Sequence, residues 1–386
     1  MKVIQTIGGF GAMSGGTSTC TYDLMTAIHK TSTDIDVDLL TPDICSTNDT
    51  LMGLGEDWIK VVPNDYKTQL AFSHNLSSFL KKNAYDVYHT NGLWMHINHV
   101  TCLIARQRKK PYIITPHGML YPETLARSAW KKWPMRKIWF NKDIHKASCI
   151  HVTCQDEMNH IRNLGYNGPI ALIGNPVNIP DFTQILIDNR SYKLKGKIKI
   201  AFLGRLHPRK NVENILKAVS LTKGIGVEVF IMGKGDEDYE EFLKSETIRL
   251  QIQNHVHFLG FVNGRKKFEK LSEMDTLFVP SDMENFGMII PEALIVGTPV
   301  MASLGTPWKI LNDQHCGWWG GNTPEDIAKI INLLADISPN ELRKMGLHGR
   351  NYIIQEFSSN KIATEMLSLY SWIGGNIPKP TYVYTL

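Results

Sequence analysis

Short apolar and β-branched runs alternate with longer helical stretches along this chain, and the alternation occurs twice. Such alternation predicts parallel sheets with helices on both faces. In the first half, the predicted strands are Lys2–Ile7, Asp36–Leu40, Val87–His89, Tyr112–Pro116 and Cys149–Thr153. The predicted helices of that half are Thr19–Thr31, Thr68–Asn83, Ile97–Gln107 and Asp156–Leu164.

The second half repeats the pattern. Its predicted strands are Lys199–Leu203, Glu228–Met232, Val256–Phe258, Thr276–Val279 and Pro299–Ala302. Its predicted helices are Val212–Leu221, Tyr239–Leu250, Lys266–Glu273, Pro291–Val296 and Pro324–Asp336. The length of 386 residues agrees with two domains, at about 100–200 residues per domain. We therefore expect an α/β protein with two Rossmann-like domains whose parallel sheets face each other across a cleft.

A turn-rich segment, Gly174–Pro180, and a lysine-rich segment around Gly196 separate the two halves. They predict an N-terminal domain over 1–185 and a C-terminal domain over 195–360. The periodic segment Lys361–Trp372 predicts a final helix, and we expect residues 361–386 to pack back on the first domain.

Composition excludes several classes of protein. The net charge of +5 comes with no nucleic-acid-binding motif, so no nucleic-acid partner is expected. The six cysteines are scattered without zinc-type spacing, which favours reduced thiols in the cytoplasm. No apolar run reaches the roughly 18 residues of a membrane span, and Met1–Ile7 is better explained as a buried strand than as a signal peptide.

Glycines follow the first predicted strand, at Gly8, Gly9 and Gly11 and again at Gly15 and Gly16. Glycines there let backbone amides approach a phosphate at the start of the next helix. The dinucleotide fingerprint is incomplete, because Ser14 occupies its third glycine position and no acidic residue ends the second strand. A tight structural turn is the alternative interpretation.

Two further loops also follow predicted strands. Arg205 and Lys210 leave the strand Lys199–Leu203, where cations suit a pyrophosphate; the alternative is a solvated basic loop. Gly233, in the motif Gly233-Lys234-Gly235, follows Glu228–Met232 and predicts either a base or ribose contact or a bare turn.

The fourth motif, Glu284 to Glu292, follows the strand Thr276–Val279 and enters a helix near Pro291. Carboxylates accept hydrogen bonds from sugar hydroxyls, and the amides of Phe286, Gly287 and Met288 would point toward a ligand. The alternative is an acidic first helical turn that only complements the helix dipole.

The frame ENFGMIIPEAL at 284–294, followed by GTPV at 297–300, strongly resembles the retaining family 4 glycosyltransferases of the GT-B fold. GRLHPRKNVENILKA at 204–218 resembles their pyrophosphate-binding segment, and the segments at 89–92, 116–120 and 174–177 also fit. GTPW at 305–308 with GWW at 317–319 is similar to a bacterial subgroup that builds capsule, O-antigen or exopolysaccharide. The chain departs from the family at Pro176 and Asn178, where N-G-V-D is common, and at His117, where subgroup members often have Arg.

The resemblance implies a role for each matching residue. Gly15 and Gly16 would pack near the donor diphosphate, which Arg205 and Lys210 would bind. Glu284, with the amides of Phe286 and Gly287, would hold the donor sugar, and Glu292 would grip the ribose. His117 would lie between donor and acceptor, where an imidazole can donate a hydrogen bond or orient a hydroxyl. The predicted catalytic residues are His117, Glu284, Arg205 and Lys210; the predicted donor-binding residues are Gly15, Gly16, Arg205, Lys210, Gly233, Glu284, Phe286, Gly287, Met288 and Glu292.

The implied reaction is hexosyl transfer with retention of configuration and without a metal or other cofactor. Cations and backbone dipoles can stabilise the departing nucleoside diphosphate, with UDP-sugars preferred as donors. Asp34, Asp36 and Asp38 mimic a metal-binding D-x-D motif, but they lead into the second predicted strand. Expected partners are the nucleotide-sugar donor and a glycan or lipid-linked acceptor. The remaining alternatives are a sugar-nucleotide epimerase, a phosphorylase and a non-catalytic sugar-binding protein.

The segment Trp130–Lys142 mixes aromatic and cationic residues. This composition suits a helix at an anionic membrane surface and predicts peripheral association with the inner face of the membrane. The residues proposed for membrane or acceptor contact are Trp130, Lys131, Lys132, Trp133, Arg136 and Lys137. A partly buried amphipathic helix, with Trp130 and Trp133 in the core, is the alternative.

Overall fold

The computed structural model describes residues 1–386 except 12–14, 33, 44–49, 65–69, 71, 127–129, 131–132, 134, 193–196 and 223. These residues form two compact units. The first comprises Met1–Pro176 and Ser359–Leu386, and the second comprises Val177–Ser358.

An eight-stranded sheet forms the centre of the first unit, in the order β14-β7-β6-β5-β4-β1-β2-β3. Its strands are β1 (Lys2–Ile7), β2 (Asp36–Pro42), β3 (Ile59–Val62), β4 (Val87–Asn91), β5 (Tyr112–Thr115), β6 (Cys149–Val152), β7 (Ile170–Leu172) and β14 (Val383–Tyr384). Strands β1 to β7 run parallel, and β14 pairs antiparallel with β7. Every residue of β4 and β5 is buried, as expected for parallel strands covered on both faces.

Helices surround this sheet. They are α1 (Gly16–Thr31), α2 (His74–Lys82), α3 (His96–Gln107), α4 (Pro122–Ala126), α5 (Asn141–His145), α6 (Gln155–Asn163) and, from the C-terminal segment, α15 (Ser359–Ile373). A π-helical turn, Arg136–Phe140, precedes α5. Helix α2 begins later than predicted, because the Ser73 side chain accepts a hydrogen bond from Asn75 N at 3.1 Å and caps it. Residues 68, 69 and 71 of the predicted helix lie outside the described residues.

The second unit contains a six-stranded, fully parallel sheet in the order β10-β9-β8-β11-β12-β13. Its strands are β8 (Ile198–Leu203), β9 (Val227–Met232), β10 (Val256–Gly260), β11 (Thr276–Val279), β12 (Val300–Ser303) and β13 (Gly317–Gly320). Its helices are α7 (Phe182–Asp188), α8 (Val212–Leu221), α9 (Glu237–Arg249), α10 (Gly264–Ser272), α11 (Ile289–Ile295), α12 (Ile310–Asp313), α13 (Pro324–Asp336) and α14 (Pro339–Phe357); short 3₁₀ turns lie at Pro208–Lys210 and Gln253–His255.

The two faces of this second sheet pack into separate apolar clusters. Ala201 and Leu203 of β8 lie in one cluster, while Ile200 and Phe202 lie in the other. This alternation follows from the two-residue period of a strand, and it places helices over both faces. The Rossmann-like organisation of both halves, predicted from the strand–helix alternation, is confirmed.

The change from first to second unit falls after Pro176, earlier than the 185–195 boundary inferred from the lysine-rich segment. Helix α7 belongs to the second unit because its side chains pack there. The Phe182 and Phe268 rings lie 5.8 Å apart, and Arg350 Nη1 donates to Thr183 Oγ1 at 3.2 Å. Four short strands (β3, β7, β13 and β14) and the helices α4, α7, α12 and α14 have no counterpart among the predicted elements.

Candidate functional site

The predicted donor-binding loops of the second unit all follow the carboxyl ends of neighbouring strands. Residues 204–211 follow β8, Gly233 follows β9, and 280–288 follow β11. The strand order reverses between β8 and β11, since β9 lies on one side of β8 and β11 on the other. Ligands of open parallel sheets bind at such a topological switch point. The loops that carry Lys210 and Glu284 therefore flank the expected binding position of this unit.

Lys210 and Glu284 form an ion pair between Nζ and Oε1. The hydroxyl of Ser281 donates to the same Oε1 at 2.8 Å, and Glu284 N donates to Gly305 O at 2.8 Å. Both side chains are largely buried, with 25% of Lys210 and 14% of Glu284 exposed. Charge-assisted hydrogen bonds of this kind hold the carboxylate in one orientation. Two residues that are 74 positions apart, each predicted for the site, thus meet in one polar cluster.

Asn211 and Asp282, which the sequence did not single out, connect these two loops. Asn211 adopts a left-handed conformation with φ of 52°, which Asn tolerates better than most residues. Its Nδ2 donates to Pro280 O at 2.9 Å and to Asp282 Oδ1 at 2.6 Å. Asp282 N donates to Arg209 O at 2.9 Å. The loops carrying Lys210 and Glu284 are therefore fixed to each other through their backbones.

The segment after Glu284 turns sharply before α11. Gly287 has φ of 75°, a left-handed conformation that favours glycine. The Phe286 side chain is buried, its ring lies 5.3 Å from the Trp308 ring, and its carbonyl accepts a hydrogen bond from Trp308 Nε1. Helix α11 begins at Ile289, two residues before Pro291, with Met288 as the residue that precedes it. Glu292 lies in the first turn of this helix.

Glu292 is paired with Lys267 of α10, a residue that sequence reasoning missed. The Nζ of Lys267 lies 2.6 Å from Oε1 of Glu292, and their side chains are 20% and 16% exposed. An acidic residue that only complements a helix dipole needs no such partner. The predicted ribose-binding carboxylate is instead part of a largely buried ion pair.

Arg205 and Gly233 differ from these paired residues. The Arg205 side chain is 70% exposed, and its Nη2 lies 3.8 Å from Oδ1 of the exposed Asp236. Such surface pairs contribute little stability, so Arg205 is held loosely. At Gly233, an added Cβ would overlap the carbonyl oxygen of Gly204. Close backbone packing between the loops after β8 and β9 therefore requires this glycine.

In the first unit, Gly15 and Gly16 lie at the start of α1. Gly15 has φ of 96°, and an added Cβ would meet no atom within 4 Å at either glycine. Their backbone is therefore open at the N-terminus of a 16-residue helix, where amide groups can receive an anion. Ser14 lies outside the described residues.

His117 follows β5 with φ of 52° and is half-buried. Its Nε2 lies 3.3 Å from Asn91 Oδ1, and the amide of the next residue, Gly118, donates to Glu157 Oε1. Burial, with a smaller contribution from nearby His151, lowers the pKa of His117 to about 3. A neutral imidazole has one ring nitrogen that donates and one that accepts.

Trp130 and Trp133 are exposed, at 77% and 65%, so neither is a core residue. The Nζ of Lys137 lies 5.1 Å from the Trp133 ring centroid, and Ile138 and Trp139 are also exposed. Lys131, Lys132 and the Arg136 side chain lie outside what the structure describes. Over the described parts of the chain, the helices are too short or too polar to cross a membrane.

The predicted D-x-D mimic lies at the amino end of β2. Asp38 Oδ2 accepts a hydrogen bond from the Tyr85 hydroxyl at 2.8 Å, and its Oδ1 lies 3.4 Å from Lys60 Nζ. Asp36 lies 3.9 Å from Lys2 Nζ. Among the described residues, no group of three or more His, Cys, Asp and Glu side chains is placed to hold a metal ion. Five cysteines there are buried and form no disulfide bond, namely Cys20, Cys102, Cys149, Cys154 and Cys316, and Cys45 lies outside those residues.

Two family models match the chain in succession. The model of Glycosyltransferase Family 4 matches residues 14–180, and that of Glycosyl transferases group 1 matches residues 184–352. A phosphatidyl-myo-inositol mannosyltransferase of Mycobacterium tuberculosis is 28% identical over 193 residues, covering 48% of this chain and 50% of that protein. The chain spans about half the length of several curated relatives that it matches, this mannosyltransferase among them.

Solved structures resemble the chain over nearly its whole length. HepE of Anabaena, in complex with UDP and glucose, matches with a TM-score of 0.71 and 17% identity, covering 96% of this chain and 100% of HepE. The lipopolysaccharide outer core galactosyltransferase WaaB, in its apo form, matches with a TM-score of 0.69 and 17% identity at the same coverage. At this identity the likeness shows the fold. With both family segments present in order on two Rossmann-like domains, the chain belongs to the GT-B glycosyltransferases that join a family 4 segment to a group 1 segment.

Proposed function

We propose that this chain is a retaining hexosyltransferase, which moves a sugar from a nucleotide-diphospho-sugar to a glycan or lipid-linked acceptor in cell-surface polysaccharide biosynthesis. The observation that carries the proposal is the Lys210–Glu284 ion pair at the switch point of the second sheet. A cation suited to a diphosphate and a carboxylate suited to sugar hydroxyls thus lie in one cluster, which supports nucleotide-sugar binding there.

The donor site is assigned within the second unit. Lys210 and Arg205 bind the diphosphate, Glu284 holds the sugar, and Glu292 accepts from the ribose hydroxyls. Because Lys267 and Glu292 are already paired, a ribose would share a carboxylate whose orientation is set in advance. UDP is the preferred nucleotide, and the UDP complex of the structurally similar HepE supports this choice.

The reaction proceeds without a metal ion, because cations on the chain stabilise the charge that develops on the departing diphosphate. Configuration is retained through attack on the face from which the diphosphate leaves. The leaving phosphate takes the proton of the acceptor hydroxyl. His117, in the first unit, orients that hydroxyl.

A lipid-linked acceptor is supported by two observations. A relative of the chain carries the name phosphatidyl-myo-inositol mannosyltransferase, and the segment around Trp130 and Trp133 exposes its aromatic rings. Exposed tryptophans beside lysines suit the headgroup region of an anionic membrane. We infer that this segment holds the enzyme on the cytoplasmic face of the membrane, near its acceptor.

The test begins with a thermal-shift screen of UDP, GDP, ADP and their sugar derivatives. A nucleotide at roughly 100 times its dissociation constant adds about 2.7 kcal/mol to the free energy of unfolding. The stabilising donor is then incubated with lipid-linked and free glycan acceptors, and the anomeric configuration of the product is determined by NMR. Release of free nucleoside diphosphate with an α-linked product from an α-linked donor supports the proposal. A changed sugar still attached to its nucleotide would indicate an epimerase, and stabilisation with no turnover would indicate a binding protein.

A further inference from the structure

A continuous series of hydrogen bonds runs through the interior of the first unit, from His117 to the backbone carbonyl of Ile173. The distances along it are 3.3, 2.9, 2.7, 2.8, 2.6, 2.8 and 2.9 Å. Its members, in order, are His117, Asn91, Gln5, Tyr370, His89, Thr115, His151 and Ile173 O. All the side chains except that of His117 are buried, so water does not compete for these hydrogen bonds. We call this series the His117 relay.

The carbonyl end of the relay decides the positions of the nearest protons. A carbonyl oxygen only accepts, so Nε2 of His151 must carry a hydrogen and donate to Ile173 O. Burial lowers the pKa of His151 to about 4, so the ring is neutral near pH 7 and its Nδ1 can only accept. The single hydroxyl hydrogen of Thr115 therefore points to His151 Nδ1.

The Thr115 hydroxyl in turn fixes which nitrogen of the second imidazole, His89, carries its hydrogen. Because the Thr115 hydrogen is already used, Nε2 of His89 must donate to Thr115 Oγ1. The pKa of His89 lies well below its usual value, owing to burial first and to nearby His151, so this ring is also neutral. Its Nδ1 then accepts the hydroxyl hydrogen of Tyr370.

The side-chain amides of Gln5 and Asn91 continue the same direction of hydrogen-bond donation as far as His117. With its hydrogen given to His89, the Tyr370 oxygen accepts, so the Gln5 atom facing it is the amide nitrogen. Gln5 Oε1 then faces the amide nitrogen of Asn91, which leaves Asn91 Oδ1 facing His117 Nε2. A reversed relay would place an imidazole lone pair against the Ile173 oxygen at 2.9 Å, which is repulsive.

We propose that the His117 relay fixes His117 as the Nε2–H tautomer, with its lone pair on Nδ1, and that Tyr370 is a positioning residue for the reaction. Building on the proposed function, Nδ1 accepts a hydrogen bond from a neighbouring hydroxyl of the acceptor and so orients the attacking hydroxyl, whose own proton goes to the leaving phosphate. His117 thus acts toward its ligand as a hydrogen-bond acceptor. Since Tyr370 lies on α15, the C-terminal segment contributes to the chemistry through this relay.

The tautomers can be measured without substrate. Protein labelled with ¹⁵N-histidine is examined near neutral pH by long-range ¹H–¹⁵N correlation, and signals are assigned with single His→Gln variants. We expect His117, His89 and His151 all to be Nε2–H tautomers. An Nδ1–H tautomer at His117, or at either of the other two, overturns the proposal whether or not transferase activity has been found.

The variant Tyr370→Phe interrupts the relay at its centre. We expect His151 to stay Nε2–H, because its carbonyl partner remains, while His117 becomes a mixture of tautomers. Tyr382→Phe is the matched control: it removes a hydroxyl of the same C-terminal segment that donates to Glu365 O at 2.7 Å, outside the relay. Tyr382→Phe should leave the tautomers of His117, His89 and His151 unchanged. A His117 signal in Tyr370→Phe identical to that of the wild type contradicts the proposal.

Kinetics connect the tautomer to the reaction. In Tyr370→Phe, kcat should fall in proportion to the lost Nε2–H fraction of His117, about twofold at equal populations, with KM for the donor unchanged. Tyr382→Phe, the matched control outside the relay, should retain the wild-type rate. If the tautomers respond as expected but no acceptor is ever glycosylated, the proposed function fails while the assignment of the relay stands. A large loss of kcat with the tautomer intact would refute Tyr370 as a positioning residue.

Discussion

The ammonium Nζ of Lys267 lies 2.6 Å from the carboxylate Oε1 of Glu292, and the two side chains connect helices α10 and α11. Glu292 belongs to a motif visible in the sequence, whereas Lys267 is one of several lysines in a polar helix. Their pairing gives the predicted ribose-binding carboxylate a fixed orientation before any ligand arrives. It also means that removing either partner leaves the other charge largely buried and unpaired.

Glu292→Ala should weaken nucleoside diphosphate binding, because charge-assisted hydrogen bonds to the ribose hydroxyls are lost. Such bonds contribute roughly 1.5–3 kcal/mol, which corresponds to about a tenfold to hundredfold rise in the dissociation constant. Titration calorimetry with UDP measures it. Glu269→Ala, on the same helix as Lys267 and paired with Arg265 at the surface, is the matched control and should bind normally. Unchanged affinity in folded Glu292→Ala would exclude Glu292 from the site.

Lys210→Ala and Arg205→Ala should lower turnover more than donor affinity, since negative charge grows on the diphosphate as the glycosidic bond breaks. Loss of one such group should reduce kcat by roughly a hundredfold. Steady-state kinetics at saturating donor, compared with calorimetric dissociation constants, separate the two effects. Lys309→Ala, which removes an exposed lysine paired with Asp313 at 2.9 Å, controls for loss of charge. A kcat that stays normal at saturation in Lys210→Ala would rule out this role.

Transferase activity should survive complete chelation of divalent ions. The expectation rests on the cations Lys210 and Arg205, which can stabilise the leaving diphosphate. The measurement is turnover after dialysis against EDTA, with a metal-dependent transferase treated in parallel to show that chelation was complete. Activity that disappears in EDTA and returns with Mg²⁺ or Mn²⁺ would refute metal independence.

Acid should destabilise the first unit through its buried imidazoles, of which His151 is an example. Burial lowers the pKa of His151 from 6.5 to about 4, so the unfolded chain takes up this proton first as pH falls. The stability that depends on neutral His151 is therefore complete above about pH 6.5 and is lost between about pH 6.5 and 4. Each such imidazole contributes a slope of about 1.4 kcal/mol per pH unit.

Urea unfolding followed across this pH range measures that slope. In His151→Gln, whose amide can still donate to Ile173 O, the free energy of unfolding should depend less steeply on pH. The slope should fall by about 1.4 kcal/mol per pH unit, the contribution of one histidine. His145→Gln, at an exposed position of the same unit, controls for the loss of an imidazole. Identical slopes for wild type and His151→Gln would contradict the lowered pKa.

The segment 130–142 should bind anionic vesicles at low salt. Each cation near the surface contributes about 1 kcal/mol, and salt should weaken binding because this attraction decays within a Debye length. Vesicle co-sedimentation compares wild type with the double variant Lys131→Glu and Lys137→Glu, which should bind weakly. The same exchange at Lys81 and Lys82, two exposed lysines at the end of α2, is the matched control. Wild-type protein that stays in the supernatant at low salt would exclude membrane docking.

The sequence predicted the central strands well because parallel strands covered on both faces appear as continuous apolar runs. Strand β1 has the predicted bounds, and β8 and β11 differ from their predictions by one residue at most. The short strands β3, β13 and β14 at the sheet edges, and β7 next to β14, were not predicted. They contain two to four residues each, which is too short for a clear apolar pattern in the sequence.

The sequence by itself determined the strand–helix alternation, the loops that follow β8 and β11, and the residue types that a nucleotide-sugar needs there. Only the tertiary structure decided which of those residues meet. Lys267 pairs with Glu292 across 25 positions, and His89 bonds to Tyr370 across 281. Periodicity and motifs report on neighbours along the chain, while these contacts depend on how strands are ordered in a sheet and where the C-terminal helix packs. The direction of hydrogen-bond donation along the His117 relay therefore depends on the tertiary structure, which brings the carbonyl oxygen of Ile173 to His151.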